Sequence, residues 1–126
     1  YTQEEMKMVW ETHRILDANI EVSATCVRVP VVNGHSESIH IETREPITID
    51  IAKQCLSEAK GVELLNEEGP ESYATAVEVD GTDSVYVGRI RKDLWNKNRL
   101  NLWVVADNLR KGAALNSIQI AEILFT

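Results

Sequence analysis

"CVRVPVVNGHSESIHIET", residues 26–43, sets Val27, Val29 and Val31 on one face and Cys26, Arg28 and Pro30 on the other. It turns at Asn33-Gly34 and alternates again with Ile39 and Ile41 inward. Period-two patterning around an Asn-Gly pair predicts a β-hairpin whose first strand runs from Glu21 to about Val32. Pro30 has no N–H to donate, which places that strand at an edge or a bulge.

Helix signals flank this stretch on both sides. Thr2 followed by Glu5 forms a capping box, and Glu4 and Glu5 occupy the first turn, where the helix dipole favours acids. A helix from Gln3 to about Leu16 follows, with Met6, Val9, Trp10, His13 and Leu16 on one stripe. Thr48 caps a second helix reaching about Lys60, with Ala52, Cys55, Leu56 and Ala59 inward and Gly61 as its stop. Beyond it the pattern predicts a short strand at Val62–Leu65, an acidic turn "NEEGPES" at 66–72 and a strand near Tyr73–Val79. "SVYVGRIRKD" at 84–93 and "LNLWVVAD" at 100–107 follow as strands, before a last helix apolar on several sides around Leu115, Ile118, Ala121, Ile123, Leu124 and Phe125.

These elements predict an α+β fold: a mainly antiparallel or mixed sheet of about five or six strands, with helices packed on one face. Val27, Val29, Val31, Trp103 and Val105 are the apolar positions offered to a second subunit, so a sheet-mediated dimer is expected. The 126 residues suit one core, and 44% hydrophobic with 26% charged residues is ordinary for a globular domain.

Thirteen basic against twenty acidic residues give a net charge of -7, which works against nucleic-acid or anionic-membrane partners. No apolar run approaches the roughly 18 residues of a membrane span, and "YTQEEMKMVW" lacks the features of a secretory leader. The expected location is the cytoplasm, with Cys26 and Cys55 as free thiols. No metal-ligand spacing is present. A start at Tyr1, one residue before a helix cap, suggests a piece of a longer protein.

Several residues carry possible chemistry. Cys26 would need a base within reach to act as a nucleophile, and packing is the simpler reading. Arg28, inside a valine-rich strand, must bring its guanidinium to an anionic ligand or to a protein acid in a salt bridge. His35 is either a plain turn residue or a neutral base beside that cation. Glu4 and Lys7 read from spacing as a solvated ion pair. "RIRKD" at 89–93 could bind phosphate, but alternation puts Arg89 and Arg91 on the solvent side. No dinucleotide or Walker loop is present.

"EEMKMVWETHRIL", "SATCVRVPVVNGHSESIHIE", "VGRIRKD" and "LNLWVVADNLRKGAALNSIQIAE" resemble, in the same order, the C-terminal portion of aspartate-semialdehyde dehydrogenases. The resemblance covers nearly the whole chain and implies the substrate-binding and dimerisation portion of that enzyme. Its reaction interconverts L-aspartyl 4-phosphate and L-aspartate 4-semialdehyde with NADP through a cysteine thioester, in lysine, methionine and threonine biosynthesis.

By the same resemblance, Glu4 and Lys7 match the family's substrate-contacting acid and phosphate-binding lysine. Arg28 matches its carboxylate clamp, and His35, seven residues on, its acid/base. Asn108 matches a contact to the nicotinamide end of the cofactor. The family's nucleophilic cysteine is not Cys26; it belongs, with the dinucleotide-binding portion, to sequence outside these residues. The chain alone is then expected to be inactive, and to work as a homodimer or homotetramer on a small-molecule substrate. An N-acetylglutamyl-phosphate reductase and a noncatalytic dimerisation module are the alternative readings.

Overall fold

The computed structural model describes residues 1–65 and 69–125, so part of the predicted acidic turn, Asn66–Glu68, lies outside the described residues. Contacts divide the chain into two units, Tyr1–Pro30 and Val31–Thr126.

The first unit holds helix α1, Gln3–Ile15. Its capping box forms as the sequence predicts: the Glu5 N–H donates to Thr2 Oγ1 at 3.3 Å, and the Thr2 N–H donates to Glu5 Oε2 at 2.8 Å. The expected apolar stripe is barely covered, since Trp10 and Leu16 stay exposed and Glu5 is the buried residue of the helix. From Glu21 to Pro30 the backbone enters no ladder, and Val27 and Val29 are exposed. The predicted first strand is therefore absent. Pro30 cannot donate to a neighbour, and the strand expected as its hairpin partner pairs elsewhere.

That partner is β1, His35–Glu42, in the second unit. The unit continues with α2 (Ile49–Glu58), β2 (Val62–Leu64), α3 (Ala76–Val79), β3 (Val85–Lys92), β4 (Arg99–Ala106) and α4 (Leu115–Phe125). The strands form one four-stranded sheet in the order β1-β4-β3-β2. β1 and β3 flank β4 antiparallel, while β2 runs parallel to β3. The architecture is the expected mixed α+β, with four strands in place of five or six.

The Tyr73–Val79 prediction also changes. Glu78 accepts hydrogen bonds from both the Thr75 N–H and hydroxyl at 2.8 Å, and the chain turns into α3 instead of a strand. α3 covers the sheet: Ala74, Ala76, Val79 and Val105 form the core, with Leu65, Tyr86 and Trp103 packed against them. Full burial of a valine such as Val105 contributes about 1.5–3 kcal/mol. Trp103 donates from its indole N–H to Ala74 O at 2.8 Å. Val105 and Trp103 thus serve the core and are not the open dimer face expected from the sequence.

Cys55, expected inside, is exposed, because Ala52 is the buried residue of α2. The apolar breadth of α4 suggests a helix buried on more than one side, yet none of its described residues is buried, and Ile118, Ile123, Leu124 and Phe125 are all exposed. No described helix is long and apolar enough to cross a membrane.

Candidate active site

Each unit carries part of the predicted residue set. In the first, Lys7 Nζ lies 3.3 Å from Glu4 Oε2 on adjacent turns of α1, with both side chains in contact with solvent. This is the pair geometry that i,i+3 spacing dictates. One residue along, Glu5 faces inward and accepts the Cys26 N–H on Oε1 at 2.9 Å. The N–H groups of Thr2 and then Cys26 hold its carboxyl below the ordinary carboxylate range, against the opposing effect of burial.

Glu5 therefore does two jobs, closing the helix cap and fastening the segment that leads to Arg28. Only the first is legible in the sequence. Arg28 itself is exposed, and among the described residues it forms no hydrogen bond or ion pair. A buried structural salt bridge, one of its two sequence readings, is absent. Its fork of donors stays available to a ligand.

Cys26 is exposed, with Sγ 3.7 Å from Met8 Sδ. Among the described residues no histidine is hydrogen-bonded to it, so the base that a nucleophilic thiol needs is not beside it.

In the second unit, His35 opens β1 opposite Ala106 and is exposed. Asn108 lies just past the end of β4, and its Oδ1 accepts the Gly34 N–H at 2.9 Å. Two predicted residues are so brought together, Asn108 gripping the peptide immediately before His35. Gly34 has φ +95°, and a Cβ there would stand 3.0 Å from Ala76 Cβ, so the approach depends on glycine.

Asp107 adds a support that spacing does not reveal. It is buried; its Oδ2 accepts the Gly81 N–H and its Oδ1 the Leu109 N–H, both at 2.9 Å. The Gly81 N–H is the largest influence holding this carboxyl below its ordinary range. The "ADNL" turn is thus stapled from both sides, and Asn108 is aimed by its neighbour. No group of His, Cys, Asp and Glu suited to a metal ion occurs among the described residues.

The family described as "Semialdehyde dehydrogenase, dimerisation domain" matches residues 1–111. The chain belongs to that family. Among curated members, the aspartate-semialdehyde dehydrogenase of Shewanella violacea is 60% identical over 126 residues, covering 98% of this chain and 37% of the relative. Aspartate semialdehyde dehydrogenase II of Vibrio cholerae, solved in complex with ASA, superimposes with a TM-score of 0.90 at 50% identity, over 98% of this chain and 37% of that one. The Candida albicans enzyme, solved with NADP, gives a TM-score of 0.77 at 30% identity, over 98% of this chain and 43% of that one. The chain thus spans little more than a third of the length of the curated dehydrogenases it matches.

Proposed function

We propose that this chain is the substrate-binding and dimerisation portion of an aspartate-semialdehyde dehydrogenase. That enzyme interconverts L-aspartyl 4-phosphate and L-aspartate 4-semialdehyde with NADP, in lysine, methionine and threonine biosynthesis in the cytoplasm. The observation that carries the reading is the likeness to the Vibrio cholerae enzyme solved with ASA, a TM-score of 0.90 over 98% of this chain.

In this reading Lys7 neutralises the phosphate that leaves the acyl group as the thioester forms, and Glu4 beside it contacts the substrate and orients the ammonium. A partly exposed lysine on a rigid helix suits that task, because its charge is in place before the anion arrives. Arg28 clamps the substrate carboxylate through two parallel N–H donors, a geometry lysine cannot reproduce. His35 moves the proton, its imidazole being suited to both acceptance and release near neutral pH.

NADP supplies hydride transfer when bound. Among these residues Asn108 would meet the carboxamide end: its Oδ1 accepts the Gly34 N–H, which leaves the amide NH2 as its donor group. By the family resemblance, the nucleophilic thiol and the glycine-rich dinucleotide loop that holds most of the cofactor lie outside these residues. The exposed apolar surface of α4 is then the face that the rest of the enzyme covers. The family's description as a dimerisation domain supports a homodimer.

The test joins this chain to the remaining portion of the Shewanella violacea enzyme and assays phosphate-dependent oxidation of aspartate semialdehyde with NADP. Activity is expected, with His35→Ala lowering kcat by about 100-fold or more. Arg28→Ala should mainly raise KM for the semialdehyde. Undiminished activity in both variants would overturn the roles, and a folded but inactive parent would favour the noncatalytic dimerisation module.

A further inference from the structure

We infer that the cavity beneath the β3 bulge is a second anion site, built for a phosphate group from residues other than those assigned above. The cavity has a volume of about 250 Å³ and is lined by Lys53, Leu65, Ser72, Arg89, Ile90 and Arg91. That is below the size usual for drug-sized ligands and cofactors, which points to a small ion or a terminal phosphate.

Three independent features converge there. The first is charge: among the described residues, three of the lining side chains are cationic and none is acidic, in a protein whose net charge is -7. Two arginine forks and an ammonium present the donors that a tetrahedral oxyanion accepts. Arg89 spends one Nη1 donor on Pro70 O at 2.6 Å, and Arg91 one on Arg89 O at 2.8 Å. Each guanidinium keeps further N–H groups, and Lys53 forms no ion pair among the described residues.

The second is a buried hydroxyl. Ser72 is only 6% exposed, and its Oγ finds no partner among the described residues. An unmatched buried polar atom on a cavity wall asks for a ligand atom or a water. The third is backbone strain. β3 slips register between Gly88 and Arg91, and Arg89 adopts φ +54°, a left-handed conformation unusual outside glycine. Bulges of this kind re-aim side chains beside functional sites, and such strain persists where the surroundings demand it. Here it brings Arg89, Ile90 and Arg91 together onto one cavity. Regular alternation would have set the two arginines on the solvent side.

The test is residue-specific and needs no turnover, so it stands apart from the dehydrogenase reading. The native chain, 15N-labelled, is titrated with sodium phosphate at constant ionic strength, following the Ser72, Arg89 and Arg91 amides and the arginine Nε–H signals. Saturable shifts at these three positions are expected, weakened about tenfold, or 1.4 kcal/mol, by Lys53→Gln and by Arg91→Gln. Lys60→Gln, a charge-matched control outside the cavity lining, should leave them unchanged.

Shifts that never saturate, that acetate reproduces, or that Lys53→Gln leaves intact would overturn the site. A parallel titration with glycerol 3-phosphate separates the sources of the shared chemistry. Equal binding identifies a phosphate monoester entering by its terminus, and binding of inorganic phosphate alone identifies the free ion.

Discussion

Asn108 Oδ1 accepts the Gly34 N–H at 2.9 Å across a separation of 74 residues, tying the turn after β4 to the peptide that precedes His35. Loss of the acceptor leaves a half-buried N–H without its partner. Asn108→Ala should therefore cost about 1 kcal/mol in urea unfolding. Asn108→Asp keeps an oxygen for Gly34 and should cost less, while losing the amide donor. In the joined enzyme it should raise KM for NADP with stability nearly retained. Equal stability loss in the two variants would contradict the tether.

Stability should fall in acid through the buried carboxylates. Glu5 and Asp107 both have folded-state pKa values below the ordinary range, lowered first by the Thr2 and Gly81 N–H groups respectively. A depressed folded pKa gives a contribution that is complete above the unfolded carboxyl's pKa and is lost as pH falls through the folded one. The urea midpoint should be flat from neutral down to the ordinary carboxylate range and drop below it. Glu5→Gln and Asp107→Asn should each flatten the acid limb, and a double variant with an unchanged limb would contradict the assignment.

Three glycines separate dihedral strain from steric crowding. Gly81 has φ +77° with open space where a Cβ would stand, so Gly81→Ala should cost about 1–2 kcal/mol from the dihedral alone. Gly34 adds the Ala76 contact at 3.0 Å to φ +95°, and Gly34→Ala should cost more. Gly88 has ordinary φ, but its Cβ would lie 2.8 Å from the Ser72 carbonyl oxygen, an overpacking cost of about 1–3 kcal/mol. Denaturant midpoints showing Gly34→Ala milder than Gly81→Ala would reverse this ranking.

Both thiols should behave as ordinary surface cysteines. Cys26 and Cys55 are free and exposed, so each Cys→Ser change should alter stability by less than about 0.5 kcal/mol. Titration with an aromatic disulfide reagent should label both in the native protein. A protected Cys55 would restore the core position that its helical spacing suggests.

The helix starts are legible because a cap is local chemistry: Thr2, Glu5 and Thr48 sit within three residues of the groups they satisfy. Thr75 and Glu78 carry the same signal, masked by the β-rich pattern around them. The valines at 27, 29 and 31 fail as a strand because alternation states only that one face is apolar. Whether a ladder forms depends on a neighbour, and β1 takes its neighbour from the far end of the chain.

The site shows the same division. Residue types and spacing leave Glu4, Lys7, Arg28 and His35 open to bland readings, and the family resemblance assigns their roles. The fastenings made by Glu5 and Asp107 are long-range bonds that no local spacing encodes. The β3 bulge likewise overrides alternation at Arg89.

The strand order also sets an order in time. β3 and β4 are joined by the tight connection through Asp93 and Asn98, so their hairpin can close early at small entropic cost. β1 borders β4 alone, and leaves the ribosome long before that strand exists. His35 thus begins on a segment that must wait unpaired, and its imidazole reaches its final setting only when the last strand arrives. Pulse-labelled hydrogen exchange should protect β3–β4 amides ahead of β1, and simultaneous protection would refute the sequence of events.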